Sequence, residues 1–180
     1  MLVWIAFICL LVTGIAGVII VLINSGSQMA EKVKKEQAHN GVVRNISNNA
    51  HTFAGLYEAI YMINKGTLRD TASVFADWGE RVENLENVPG LLSFWNESFA
   101  NHESWNRNES MIKAGELLAL IHEAGVKRSE ETKVTVGNDT LQYYDFKDEI
   151  SIEPGSSATV DFPYWIHNGS VLEKGEISMS

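Results

Sequence analysis

The side chains that most often carry out chemistry are scattered along this chain. None of the five histidines stands in an HExxH motif or close to another histidine, and Cys9 is the only cysteine, so neither an internal disulfide nor a Cys-based zinc site can form. The chain has no GxxxxGK[ST], GxGxxG or GxSxG motif, and Asp and Glu form no pair suited to hydrolysis. We therefore predict no enzyme activity, no metal site and no cofactor.

Asparagine offers a different chemistry, because five Asn-x-Ser/Thr sequons are present. With 14 Asn and 23 Ser plus Thr among 180 residues, chance alone gives roughly two. The excess predicts N-linked glycans on an exterior surface; the alternative is that Asn and Ser are simply abundant in turns. The predicted glycosylation sites are Asn45, Asn96, Asn108, Asn138 and Asn168. Asn138 and Asn168 fall in predicted turns, whereas Asn108 is expected to cap a helix.

Tryptophan is the other residue type that could bind a ligand here. Trp78, Trp95, Trp105 and Trp165 follow the apolar N-terminal part of the chain. Indole rings stack on sugars, but they serve more often as core residues or interface anchors.

The charge distribution is uneven. The formal net charge is −9, from 23 acidic and 14 basic residues, and all of these residues lie after position 30. The acidic balance disfavours nucleic acid as a partner, because phosphate binding needs clustered Lys and Arg, and we predict no nucleic-acid binding. The charge-free start is not typical of an ordinary soluble domain.

Residues 1–23 are apolar apart from Thr13 and two glycines. As a helix they would span about 34 Å, which is enough to cross a bilayer core of roughly 30 Å. A cleaved signal peptide is the alternative, but it would carry a basic start and a shorter apolar core. We therefore expect a retained helix. Three basic residues follow this helix: Lys32, Lys34 and Lys35. The positive-inside rule would place them in the cytoplasm. A basic leader in front of the helix, removed before the chain matured, would balance their charge.

The next segment has a heptad seam. Ile46, Ala50, Phe53, Tyr57 and Ile60 are spaced 4, 3, 4 and 3 residues apart. Either this stripe packs on its own domain, or it continues the apolar helix as a rod of about 60 residues, roughly 90 Å long, that needs partner chains. The continuity of the pattern favours the rod. The expected polymerisation contacts are Trp4, Phe7, Leu11, Ile15, Val18, Leu22, Ile46, Phe53, Tyr57 and Ile60.

The charge-free segment followed by VLINSGSQMAEKVKKEQ (Val21–Gln37) resembles the start of mature archaellins and related archaeal type IV pilins. The resemblance covers residues 1 to about 60, and Leu22-Ile23-Asn24-Ser25-Gly26 is its distinctive element. It implies a precursor trimmed by a membrane peptidase and drawn by an assembly ATPase and membrane platform into a helical filament. In such a filament the apolar helices form the core and the heads form the outer wall.

The remainder of the chain predicts a small head. Thr67–Asp70 resembles a capping box before a helix, Leu91–Trp105 is aromatic and irregular, and Glu109–Ala124 predicts a helix with Gly125 as its C-cap. After Ser129 the period becomes two. Turn signals then separate five short strands, beginning with a hairpin of Thr132–Val136 and Thr140–Phe146. These strands predict a small antiparallel sheet or half-sandwich covered by the helices.

The predicted fold class is therefore α+β, with a long apolar N-terminal helix over residues 1–63 and a head of helices and antiparallel sheet over residues 64–180. The predicted function is a structural subunit of an extracellular filament, either pilus or archaellum, for adhesion or motility. The predicted partners are copies of the same chain, and the subunit would be inserted in the membrane before assembly. The alternatives are a single-pass accessory subunit of a larger membrane complex and a membrane-tethered enzyme or sugar-binding module.

Overall fold

The computed structural model describes residues 25, 27–84, 90–147 and 153–179. By internal contacts the chain divides into two compact units, Met1–Gly41 and Val42–Ser180. In the first unit residues 27–41 are helical and almost entirely exposed, and their large apolar side chains, Met29 and Val33, are exposed as well. The described part of this unit is thus a solvent-facing helix with mostly polar side chains.

The fold-class prediction is wrong about the N-terminal helix. Residues 1–23, which the prediction made its apolar core, lie outside the described residues. Among the described residues, no helix combines the length and the apolar character needed to cross a membrane. Residues 42–63 do not continue an apolar rod either, because their stripe is buried in the second unit.

The second unit is α+β. Its described helices are α1 (residues 42–48), α2 (Ala50–Asn64), α3 (Thr71–Glu83), α4 (Leu91–Phe99), a 3₁₀ turn (His102–Ser104), α5 (Arg107–Glu123) and α6 (Thr140–Tyr143). Its described strands are β1 (Val126–Arg128), β2 (Lys133–Thr135), β3 (Tyr144–Phe146), β4 (Ser157–Phe162), β5 (Trp165–His167), β6 (Ser170–Glu173) and β7 (Gly175–Met179). Most strands are short, so pairing within sheets rather than strand length must hold them in place.

The strands form two sheets instead of the one antiparallel sheet predicted. One has the order β1-β5-β6 and the other β2-β4-β7-β3. Asn168-Gly169 joins β5 to β6 as predicted, with antiparallel pairing of His167 to Ser170. The second sheet includes a parallel pair, in which Tyr144 lies opposite Gly175.

The hairpin predicted around Gly137 does not form. Residues Thr140–Tyr143 are helical, and the Thr140 side chain accepts a hydrogen bond from the Gly137 backbone N–H at 2.8 Å. That local bond offers the chain an alternative to the strand ladder. β2 therefore pairs with β4, while β3 pairs with β7.

Local sequence signals set the helix ends. Asp70 caps α3 by accepting the Ser73 backbone N–H at 3.0 Å, and Asn106, rather than the expected Asn108, forms a capping box with Glu109 on α5. At the end of α2, Gly66 adopts φ +71°, a left-handed conformation that favours glycine. Its N–H bonds the Ile63 carbonyl and the Thr67 N–H bonds the Met62 carbonyl, which is the Schellman pattern.

The main core is built around α2. Phe53, Leu56, Tyr57, Ile60 and Ile63 are each at most 1 % exposed. α2 packs against α5 and β1, which supply apolar side chains to the same cluster: Ala114, Leu117, Ile121 and Val126. The heptad seam is thus covered by the chain's own second unit.

An aromatic cluster extends this core beneath α3 and α4. The Phe75 ring stacks on Phe99 with centroids 5.5 Å apart and meets Trp105 edge-on at 5.2 Å. Trp95 lies 4.8 Å from Phe99. The aromatic stretch predicted to be irregular is helical in α4 because Leu91, Trp95 and Phe99 recur at helical spacing on its buried side.

Ile60 is fully buried in this core, so Ile60→Ala will lower the free energy of unfolding by about 2–5 kcal/mol, because it leaves a cavity. Ile112→Ala is the matched control, since Ile112 is 61 % exposed on α5, and it should change stability by no more than about 0.5 kcal/mol. Urea unfolding followed by tryptophan fluorescence measures both. Equal effects of the two substitutions would contradict the intramolecular packing.

Candidate functional site

The predicted polymerisation residues fall into two groups. Trp4, Phe7, Leu11, Ile15, Val18 and Leu22 lie outside the described residues. Ile46, Phe53, Tyr57 and Ile60 are buried among side chains of the second unit. For these four, the structure has the packing on the chain's own domain that was the alternative interpretation of the seam.

The sequon asparagines differ in accessibility. Asn96, Asn108, Asn138 and Asn168 are exposed, while Asn45 is half-buried. Asn138 and Asn168 lie in turns as predicted. The Asn168 side-chain amide is 3.1 Å from His167 Nε2, and its carbonyl crowds Gly125. Asn108 is at the second position of α5, so its side chain is not used as the helix cap.

The four tryptophans of the second unit differ in how deeply they are buried. Trp78, Trp95 and Trp165 are at most 7 % exposed and belong to the core. Trp105 is only partly buried, and it lines a surface cleft. Trp165, although buried, lines a second cleft, so two of the four tryptophans border a space that a ligand can enter.

That cleft, of about 580 Å³, lies where the end of α2 meets the starts of α3 and α5. Ile63, Leu68 and Met111 contribute apolar side chains to its lining. The charged residues of the lining are Arg69, Asp70 and Arg107. We call this space the arginine cleft.

A second cleft, of about 660 Å³, is lined by α2, β1 and the β4–β7 region. Its acidic residues outnumber its basic ones: Glu58, Asp161, Glu173 and Glu176 against Arg128 and Lys174. Both basic residues have partners, since Arg128 lies 2.6 Å from Glu58 and Lys174 lies 2.9 Å from Asp145. This acidic cleft therefore favours neutral or basic partners.

Arg128 connects β1 to α2 at the border of the acidic cleft. Its Nη2 donates a hydrogen bond to Glu58 at 3.2 Å, and its guanidinium carbon lies 4.5 Å from the centroid of the Tyr61 ring. Such combined ion-pair and cation–π contacts hold a partly buried arginine in one geometry. We assign Arg128 a structural role in shaping the cleft wall.

Tyr57 and His122 join α2 to α5. The Tyr57 hydroxyl and His122 Nε2 are 2.5 Å apart, and the Trp165 ring meets Tyr57 edge-on at 5.1 Å. Burial, and after it the charge of Glu130, raises the pKa of Tyr57 to about 12. Burial, and after it Lys127, lowers the pKa of His122. A neutral imidazole can accept the tyrosine proton in a hydrogen bond, so the pair holds two helices together.

Two further groups of polar side chains contact each other among the described residues. Ser47 Oγ lies 2.8 Å from His167 Nε2, but Asn168 also lies against that nitrogen. The Tyr144 hydroxyl bonds Glu131 at 2.8 Å and Ser129 at 3.0 Å, and burial raises its pKa. Across the described ranges no three His, Cys, Asp or Glu side chains come together as a metal site would require.

In comparisons with protein-family models, characterised proteins and solved structures, nothing matches this chain.

The Tyr57 environment predicts the stability of the protein in alkali. Because its pKa in the folded state lies above the unfolded value of 10.0, the stabilisation is complete below pH 10 and is lost as the pH rises towards 12. Urea unfolding at pH 9, 10 and 11 should show a falling free energy of unfolding. Tyr57→Phe should be less stable at pH 9, where it lacks the bond to His122, and should lose less stability above pH 10. An unchanged slope in Tyr57→Phe would contradict this origin of the alkaline sensitivity.

Proposed function

We propose that this chain is a structural subunit of an extracellular helical filament of the archaeal pilus or archaellum type. The observation that carries the proposal is the charge-free segment of residues 1–23, joined to a second unit with its own closed core. A segment without charge is stable only against lipid or against other apolar surface. Exchange between these two environments costs little, because lipid tails are as apolar as leucine.

One further feature supports the proposal, and another limits which residues can make assembly contacts. The element Leu22–Gly26 and the polar Gln/Lys/Ala-rich sequence after it resemble archaellins and archaeal pilins. The buried seam of α2 also matters, because it needs no neighbouring subunit to cover it. Assembly contacts are therefore assigned to residues before Val42, where Met29 (71 % exposed) and Val33 lie one helical turn apart.

The test is recovery of the protein in fibres sheared from cells without detergent and viewed by negative stain. A charge within the apolar segment, Val18→Glu, should abolish recovery, since a centrally placed acidic residue costs about 2.5–3.5 kcal/mol in such an environment. Leu141→Glu is the control, because Leu141 is 54 % exposed on α6, and it should assemble normally. Retention of the wild-type protein in membranes, with no fibres, would favour the accessory-subunit alternative and contradict the proposal.

The proposed exterior location also predicts glycans on the exposed sequons. Asn96 and Asn138 are exposed, so Asn96→Gln and Asn138→Gln should each remove one glycan from the intact mass of protein purified from its own cells. Asn45 is half-buried and should have no glycan. Asn45→Gln should therefore change the mass only by the difference between the two side chains. An unmodified wild-type mass would contradict the glycan prediction without bearing on assembly.

A further inference from the structure

The geometry of the arginine cleft points to a binding site for a sugar that carries a carboxylate, such as a uronic acid at the end of a glycan. This inference goes beyond the filament proposal and does not depend on assembly. It rests on two exposed arginines, a partly buried indole and an apolar floor in one concave space.

Arg69 and Arg107 are the cations. Both are exposed, and neither forms an ion pair among the described residues. Asp70 is the one acidic residue of the described lining, so the two arginines give this cleft a net positive charge within a chain of net charge −9. Guanidinium groups bind carboxylates through paired, charge-assisted hydrogen bonds.

Both arginines lie where a positive charge destabilises a helix. Arg107 is the first residue of α5, and Arg69 directly precedes the N-cap of α3. A cation near a helix N-terminus opposes the helix dipole by about 0.3–1 kcal/mol. Residues that break a local rule without a structural gain are most often found at functional sites. A bound anion would remove the conflict at both helices.

The other lining residues favour a sugar over a bare inorganic anion. Trp105 offers an indole to stack on a sugar ring, and Leu68 and Met111 provide further apolar contact. One oxygen of Asp70 is used in capping Ser73, which leaves the other able to accept a bond from a sugar hydroxyl. The same carboxylate repels a doubly charged phosphate more than a singly charged carboxylate. The volume of 580 Å³ falls in the usual range for small-molecule sites.

Isothermal titration calorimetry of the full chain in detergent with glucuronic acid, glucose, acetate and inorganic phosphate tests this inference. We expect glucuronic acid to bind about tenfold or more tightly than glucose or acetate, and its affinity to fall with added salt. Phosphate binding as tight as glucuronic acid would show an anion site without sugar recognition and would overturn the inference. Absence of glucuronic acid binding would overturn it as well.

Substitutions then place the binding in this cleft. Arg69→Gln and Arg107→Gln should each weaken glucuronic acid binding about tenfold, the loss expected for one charge-assisted hydrogen bond. Arg81→Gln is the matched control, since Arg81 lies on α3 but pairs with Asp77 outside the cleft, and it should bind as the wild type does. Thermal unfolding checks that all three remain folded. Unchanged binding in both cleft variants would overturn the assignment, whether or not the protein forms filaments.

Discussion

Burial of the α2 stripe is the interaction on which the second unit depends. Phe53, Tyr57 and Ile60 occupy the space between α5 and β1, and together with their neighbours they form the larger of the two apolar clusters. Full burial of side chains of this size contributes about 1.5–3 kcal/mol each, and α2 has more buried residues than α3, α4 or α5. Burial of the stripe also determines which parts of α2 face solvent. Most of its circumference is buried, so α2 exposes little beyond its ends and one edge.

The same stripe marks where prediction from the sequence succeeds and where it fails. Spacing of 4, 3, 4 and 3 residues correctly identifies Phe53, Tyr57 and Ile60 as one buried helix face, but the helix was predicted over residues 1–63 rather than over Ala50–Asn64. Spacing does not identify the partner, since a seam that packs on another chain and one that packs on its own domain have the same period. The seam packs on its own domain because that domain offers apolar side chains to cover it. They include Leu117 and Ile121 on α5 and Val126 and Trp165 on the first sheet.

Strand pairing is the part of the fold that local patterns do not contain. The period-two pattern and the Asn168-Gly169 turn correctly predict the β5–β6 hairpin, whereas β1 precedes the point where the pattern changes and was missed. The parallel pairing of β3 with β7 joins segments about 30 residues apart, with Tyr144 placed over Gly175. A side chain at that glycine would approach the Tyr144 ring to 2.7 Å, so the pairing depends on a residue that no period-two pattern singles out. The sequence likewise identified Trp105 as a residue able to stack on sugars, but not the neighbouring arginines, which only the meeting of three helix ends brings together.

The packing of α2 also explains how one small acidic unit maintains two clefts of opposite character. The middle of α2 contributes Glu58 to the acidic cleft, while its end at Ile63 and Gly66 forms part of the arginine cleft. Charges more than about 8–10 Å apart at the surface are largely screened at physiological salt. The overall charge of −9 therefore does not cancel the local potential of Arg69 and Arg107. Residues of one helix, α2, thus line both clefts, and each cleft has its own local charge.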